Sequence, residues 1–304
     1  MNPSIAIIVV NYGSHQLLAR NFADAPWLES DAQLFVVDNF TSGAELTALS
    51  DLAHNQGWRV VESPTNVGFG AGADLGVAAA IERGHEHLLL INPDVAMTSG
   101  VLSALRDQLS SDPMMMVSPR IVTPSGTLWF DGGLVDLDSG RVRTAAGADM
   151  RAPFAWLSGA CLALSSTLWR KAGGFDAEYF LYWEDVDFSQ RVVRAGGTLL
   201  VRNDLQVVHD VGGTQGVGKS AVYLRFNTRN RLLFAAKWLP RETVRKWIRH
   251  TPIESYRVLV RGGRRSLIRW PMVSAAMTGS AQGLRAARSR GSRRRPAVTG
   301  VRDE

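Results

Sequence analysis

Three carboxylates stand within four residues at Glu184-Asp185-Val186-Asp187, directly behind an aromatic stretch holding Tyr179, Phe180, Tyr182 and Trp183. Aromatic faces suit a sugar ring, and a carboxylate placed beside a hydroxyl can remove its proton as a general base. Residues 188–197 then read as a helix closed by glycine. The purely structural explanation is helix capping, since acidic side chains favour the positive end of a helix dipole. Capping needs one such residue, and three beside four aromatics exceed that need.

Further polar residues fall where short apolar runs end. Asp38 closes one run and could accept hydrogen bonds from a ribose or a base edge, or cap a turn with Asn39, Thr41 and Ser42. Asn92-Pro93-Asp94 closes another, and one carboxylate beside a proline suits Mg²⁺, although an ordinary turn reads the same way. His209 follows Leu205–Val208, and its imidazole could complete a divalent-metal site or serve as a structural hydrogen-bonding residue. His85 and His87 flank Glu86 at what reads as a solvated edge. Asn66 opens a segment with glycines at 68, 70 and 72, which lets backbone N–H groups approach phosphate oxygens, or simply makes a tight turn with close helix packing. Residues 213–220 match the phosphate-loop pattern, but such a loop normally opens a nucleotide domain whose later strands supply a Mg²⁺-binding Asp, and the 84 residues after Ser220 offer only Asp303.

The elements that must position these groups alternate. Ile5–Asn11, Leu34–Asp38, Trp58–Glu62 and Leu88–Asn92 read as buried strands, with helices over Ser14–Ala23, Ala44–His54 and Gly72–Arg83. This predicts an α/β fold with a Rossmann-like, mostly parallel sheet and helices on both faces, binding ligands beyond the carboxyl ends of its strands. Residues 112–145, rich in Pro, Gly and Asp, suggest hairpins over the site. The first strand ends in Asn11-Tyr12-Gly13 without a dinucleotide fingerprint, which argues against a dehydrogenase. The N-terminus reads as a strand rather than a signal peptide. Cys161, the single cysteine, excludes an intramolecular disulfide and sits in an apolar run as a buried thiol.

Charge is divided along the chain. Residues 1–240 carry 18 Lys/Arg and 24 Asp/Glu, whereas residues 241–295 carry 15 Lys/Arg against Glu242 and Glu254. Arginines there interleave with Trp238, Trp247, Tyr256, Leu259, Leu267, Ile268 and Trp270, a pattern that suits an anionic membrane surface or a helical cap with a solvated basic face. No nucleic-acid motif accompanies the basic stretch, and no nucleic-acid partner is expected.

Taken in order and spacing, the motifs resemble the family-2 inverting glycosyltransferases of the GT-A fold, and among these the bacterial rhamnosyltransferases. The resemblance covers roughly residues 4–240. It rests on Val9-Val10-Asn11-Tyr12, Val36-Val37-Asp38-Asn39, Asn66-Val67-Gly68-Phe69-Gly70 and Asn92-Pro93-Asp94-Val95. Further along stand Trp156-Leu157-Ser158-Gly159-Ala160-Cys161, Gly173-Gly174-Phe175-Asp176, Trp183-Glu184-Asp185-Val186-Asp187, His209 with Gly212 and Thr214, and Arg229-Asn230. The resemblance implies a nucleoside-diphosphate sugar donor bound by Asn11, Asp38, Asn66, Gly68 and Asn92. It implies a divalent metal, Mg²⁺ or Mn²⁺, on Asp94 and His209. Asp185 becomes the general base, with Trp183 and Glu184 holding the acceptor, a glycan or a polyprenyl-diphosphate sugar of the cell envelope. The sugar it implies is L-rhamnose from dTDP-rhamnose, with a UDP-hexose as the alternative; outside this class stand a phosphate-loop NTPase and a non-catalytic basic binding module. Asp74, where Asn is usual, and Phe40, where a small residue is usual, mark departures expected near the donor. The expected organisation is a catalytic domain over 1–220, a basic helical module over 221–284 and a disordered tail over 285–304. The expected location is the cytoplasm, with the basic module suited to the inner face of the cell membrane.

Overall fold

Uninterrupted apolar runs can be buried on both faces only inside a sheet covered on both sides, and the chain uses the first, second and fourth of its runs this way, whereas the third, expected to be buried, lies at the sheet edge with Arg59 and Glu62 exposed. The computed structural model describes residues 5–28, 32–98, 100–210, 220–261 and 270–291. β1 (Ile5–Asn11), β2 (Gln33–Asp38), β3 (Arg59–Glu62) and β4 (His87–Ile91) are parallel, in the order β3-β2-β1-β4. They are linked by α1 (His15–Phe22), α2 (Gly43–Gln56) and α3 (Phe69–Glu82). The order reverses between β1 and β4. Right-handed crossovers then send α3 to the face opposite α1 and α2, and the carboxyl ends of β1 and β4 flank a crevice. Gly76 and Gly72 let α3 approach this sheet closely: a Cβ on Gly76 would stand 2.6 Å from Ile8, and one on Gly72 would stand 3.1 Å from Val10.

Beyond β4 the sheet becomes mixed. Next come β5 (Val95–Met97), α4 (Val101–Ser111), β6 (Met115–Val122), β7 (Leu128–Phe130), β8 (Gly133–Asp136), β9 (Arg141–Thr144) and β10 (Ala155–Trp156). They are followed by β11 (Cys161–Ser165), α5 (Ser166–Ala172), α6 (Glu184–Arg194) and β12 (Thr198–His209). The nine-stranded sheet continues β4-β11-β6-β12-β5, with β7 on β6, while β8, β9 and β10 form a small sheet of their own. β11 runs antiparallel to both its neighbours, β12 parallel to β6, and β5 antiparallel to β12.

Two expectations change here. The stretch 112–145, read as hairpins, does fold into two, β6 with β7 and β8 with β9, but its first strand, β6, is also an interior strand of the main sheet. Its Pro119 disguised it, and the sheet accommodates that proline beside a register shift in β12 between Arg202 and Gln206. His87, read as solvated, is buried inside β4 between Ile5 of β1 and Ser165 of β11, and burial pushes its pKa down. Cys161 is a free, buried thiol whose pKa burial pushes up.

Residues divide into two compact units, 1–136 with 141–218, and 137–140 with 219–304. The second unit holds α7 (Ala221–Trp238), α8 (Arg241–Arg261) and α9 (Trp270–Gly291). Within it Arg231 stacks its guanidinium over Trp247, 4.9 Å from the ring centre, and donates to the carbonyls of Ser139 and Gly140. Trp247 is fully buried and donates its indole N–H to Leu137. α9 continues to Gly291, into the stretch expected as tail, because Leu284, Ala286 and Ala287 extend a helix-favouring sequence whose Ala287 is buried. Residues 292–304 lie outside the described residues, as do Gly212, Thr214 and positions 213–219 of the phosphate-loop match.

Candidate active site

The carboxylate cluster sits at the start of α6, where the chain makes an unusual turn. Tyr182 and Trp183 both have positive φ, 68° and 73°, a conformation that bulky residues adopt only when their surroundings impose it. Those surroundings are visible. Tyr179, buried, donates its hydroxyl to Asp187 Oδ1 at 3.2 Å, and Arg191 Nε donates to Asp187 Oδ2 at 3.1 Å. The same guanidinium donates to the carbonyls of Ala172, Gly173 and Gly174. Asp187 is therefore a strut, which leaves Glu184 and Asp185 as the cluster's candidates for chemistry.

The start of α3 clamps the other side of this loop. The Phe69 N–H donates to Phe180 O at 3.1 Å, and Asp74 Oδ1 accepts the Phe175 N–H at 3.0 Å. Gly68 has φ +87°, and any Cβ there would overlap the Phe180 carbonyl. Its own N–H donates to Asn66 Oδ1, and the Gly72 N–H to Gly68 O. The glycine segment thus uses its amides and its bare Cα positions to receive a neighbouring loop, and the phosphate-amide reading of it gives way to close packing. Asp74 likewise holds the 173–176 loop, where it was expected near the donor. Burial pushes its carboxyl up to about 6, helped by Asp176 and opposed by the Phe175 amide and Arg191.

Glu184 is buried, with Oε2 lacking a hydrogen-bond partner, and burial beside the Asp185 charge holds its carboxyl well above the usual range. Asp185 is half-buried and better served: Oδ2 accepts the Gly159 N–H at 3.2 Å and Oδ1 the Val186 N–H at 2.8 Å. Desolvation still outweighs these amides and raises it to about 6. A base poised near neutrality, aimed by two amides, is what hydroxyl activation requires. Trp183, read as an acceptor platform, is only 4% exposed, so its ring is packing material; Phe180 and Tyr182 are the half-exposed rings of the loop.

At the end of β2 Asp38 is 1% exposed, and neither carboxylate oxygen finds a hydrogen bond. Burial, then the charges of Glu45 and Glu62, raise its pKa, and a lowering influence from the Phe40 amide does not reverse this. The capping role belongs instead to Ser42, whose Oγ accepts the Glu45 N–H at the start of α2. Asn11 has structural partners for both amide ends: Nδ2 donates to Glu45 at 3.1 Å, and Oδ1 accepts from the Ser14 N–H and hydroxyl. Glu45 also meets His15 Nδ1 at 2.6 Å. Burial pushes the Glu45 carboxyl up, but the hydrogen bonds from Asn11 and His15 outweigh it, and the net shift is downward. A cavity of about 500 Å³ opens beside this group, lined by Gly13, Ser14, His15, Leu17, Arg20 and Glu45 among others. A larger one, about 750 Å³, lies by residues 147–155 and contains none of the predicted site residues.

At the ends of β5 and β12, Asp94 and His209 meet through Oδ1 and Nε2, 3.0 Å apart, both buried. The two side chains hydrogen-bond to each other as they stand, and a carboxylate oxygen and an imidazole nitrogen that converge in this way would both be able to ligate one divalent cation. His209 Nδ1 has no hydrogen-bond partner, and the edge of its ring packs against Trp129, 4.5 Å between centres. α1 braces both strands: Asn21 donates to Pro93 O, and Arg20 pairs with Asp210. No group of three or more His, Cys, Asp or Glu that could hold a metal occurs among the described residues, so a cation here would need further ligands from substrate and water.

Single-residue steps join these clusters. Gly159 bonds Asp185, and the next residue, Ala160, accepts the Asn92 N–H at 2.9 Å. Asn39, beside Asp38, donates to Asn66 Oδ1 and Gly68 O and accepts the Val67 N–H, and Gly68 abuts Phe180. Gly159, Asn39, Glu45, His15 and Trp129 were not among the predicted site residues. Only Gly159 and Asn39 left a signal, as members of the motifs around them.

No family model matches the chain. It is 25% identical over 247 residues to a low-salt glycan biosynthesis hexosyltransferase of Haloferax volcanii, Agl10, covering 77% of this chain and 76% of that protein. It is 24% identical over 244 residues to the N-acetylglucosaminyl-diphospho-decaprenol L-rhamnosyltransferase of Mycobacterium tuberculosis, covering 71% and 79%. Among solved structures, GalNAc-T7 with UDP, GalNAc and Mn²⁺ matches with TM-score 0.60 at 14% identity, covering 92% of this chain and 55% of that one. The mannosyltransferase PcManGT of Pyrobaculum calidifontis, in complex with GDP-Man and Mn²⁺, matches with TM-score 0.57 at 14% identity, covering 96% and 88%. The fold is that of the GT-A glycosyltransferases.

Proposed function

We infer that this chain, a glycosyltransferase of the GT-A fold similar to family-2 inverting enzymes, moves L-rhamnose from dTDP-rhamnose to a hydroxyl of a cell-envelope or lipid-linked glycan. The observation that carries the reading is the Asp185 carboxylate, raised to about 6 and aimed by the Gly159 amide, whose neighbour Ala160 ties it to the end of β4. The relative named as an L-rhamnosyltransferase on a decaprenol-linked sugar supports the donor and the acceptor class.

In this reading Asp38 accepts hydrogen bonds from the base or ribose of the donor, which supplies the partners its two buried oxygens lack in the protein. Asn66 and Gly68 line the same side, held in place by Asn39. Asp94 and His209 hold a divalent cation, Mg²⁺ or Mn²⁺, which when bound offsets the charge of the departing diphosphate. Asp185 takes the proton of the acceptor hydroxyl while that oxygen attacks the anomeric carbon. The bond from that carbon to the diphosphate oxygen breaks on the opposite side, and configuration inverts. Glu184, whose carboxyl is held well above the usual range by burial and by its neighbour's charge, helps to hold the acceptor beside Asp185.

Thermal stabilisation by dTDP, UDP, GDP and ATP, each with and without Mn²⁺, tests the reading. A Mn²⁺-dependent shift largest with dTDP is the expected result. Preference for UDP or GDP keeps the enzyme class and changes the sugar. Stabilisation by ATP alone, abolished by Lys219→Ala, overturns it in favour of a nucleotide-hydrolysing phosphate loop.

A further inference from the structure

The basic C-terminal stretch divides its aromatic residues in a way composition did not reveal. Trp247 and Leu259 are core, whereas Tyr256 is 57% and Trp270 72% exposed, joined by Ile253 and Met277 at 51% and 62%. The four belong to two helices whose relation is fixed within this unit. Ser255 of α8 meets Ser280 of α9 at 3.1 Å, and Leu259 lies in one buried cluster with Ala276. Rising numbers on α8 therefore match falling numbers on α9, and the helices are antiparallel. In antiparallel right-handed helices, residues one step past a shared seam turn to the same side. Tyr256 follows Ser255 and Met277 follows Ala276, so both turn to one face. Arg249 and Trp270, six residues before Ser255 and Ala276, fall within about 20° of them on that face.

The rim of the face is cationic. Arg245 and Arg249 on α8 and Arg285 and Arg288 on α9 are exposed. The stretch 241–295 holds 15 Lys/Arg and two Glu, against an acidic remainder over 1–240. Large apolar side chains spaced singly among arginines make a poor protein-binding core, which is contiguous and depleted of charge. They suit an interface in which rings and thioethers enter the acyl boundary while guanidinium groups stay with phosphates. No helix among the described residues is long and apolar enough to cross a membrane, so the arrangement is one for lying on a bilayer.

We propose that the common face of α8 and α9, with Ile253, Tyr256, Trp270 and Met277 ringed by Arg245, Arg249, Arg285 and Arg288, docks on an anionic lipid surface. The proposal does not depend on which sugar is transferred, because it is read by binding alone. The test is co-sedimentation of the full chain with phosphatidylcholine vesicles, with and without 30% phosphatidylglycerol, at low and high salt. The expected result is binding to the anionic vesicles only, weakened at least tenfold by high salt. Arg245→Gln with Arg249→Gln should reduce it about 25-fold, from about fivefold per arginine. Trp270→Ser with Met277→Ser should reduce it while circular dichroism and donor-nucleotide binding stay unchanged. Binding to neither vesicle, equal binding to both, or undiminished binding by both double variants overturns the proposal. So does a stable dimer whose dissociation is caused by Trp270→Ser, which would assign the face to a second copy of the chain.

Discussion

Asp38 and Asp185 are both strand-end or helix-start carboxyls raised by burial, yet the protein treats them in opposite ways. Asp185 receives two amide hydrogen bonds that fix its direction, from Gly159 and Val186. Asp38 has no well-formed hydrogen bond at either oxygen, only a lowering influence from the Phe40 amide, and faces the repulsion of Glu45 and Glu62 besides. On the proposed reading, the difference separates a group that must act from one that must be completed. A base has to be aimed before its substrate arrives and keep a proton affinity near the working pH. A binding carboxylate gains most from a ligand when the protein offers it nothing, because each hydrogen bond from the ligand then relieves a desolvated charge.

The contrast predicts which kinetic parameter each residue controls. Asp185→Asn should lower turnover by about 10²- to 10⁴-fold while donor affinity, measured calorimetrically with dTDP and Mn²⁺, stays within a few-fold. His209→Ala should cut Mn²⁺ affinity by about 100-fold, read by metal titration against nucleotide binding. Asp38→Ala should weaken donor binding about 10- to 100-fold with turnover at saturation nearly kept. That loss should persist without metal; if it appears in turnover instead, the division of roles between the two carboxylates fails.

The pH dependence sharpens the same contrast. Turnover should fall about tenfold per unit as pH drops below about 6, following Asp185. Stability should move the other way. A carboxyl raised in the folded state contributes stability that is complete below its unfolded value, near 3.8, and is lost as pH rises through about 6. Asp185→Asn gives up one of the two amide bonds at every pH, so the check is the trend: its melting temperature relative to the wild type should be higher at pH 7.5 than at pH 4. The smallest effect is expected at Asp74→Asn: its side-chain oxygen can still accept the Phe175 N–H without a buried charge, so the melting temperature should rise by about 1–3 °C at pH 7.5 with turnover unchanged.

Much of this was legible in the chain because it is written locally. Four apolar runs gave four parallel strands, and polar residues at their ends, Asp38 and Asp94 among them, lie where a reversing parallel sheet binds ligands. What stayed hidden was written between distant segments. Pro119 signalled a break and sits in an interior strand, beside the register shift of β12 and past the last residue that β11 pairs. Gly68 signalled phosphate, and its missing side chain serves a carbonyl 112 positions away, that of Phe180. Trp183 looked like a sugar platform, since sequence carries the type of a ring and not its exposure. Gly159 contributes an amide, a group every residue but proline carries, so only the fold selects it.

The successive left-handed residues Tyr182 and Trp183 carry a consequence for the order in which the molecule is made. The conformation is held from both sides: α6 begins at the next residue and its Asp187 N–H bonds the Trp183 carbonyl, while the Phe69 N–H of α3 holds the Phe180 carbonyl from a distant segment. The loop can settle only after α3 has docked on β1 and β2 and α6 has its first turns. The carboxylates that follow it should therefore keep their places only while both helices stay docked, so a change that loosens α3 should disturb Glu184 and Asp185 without touching them.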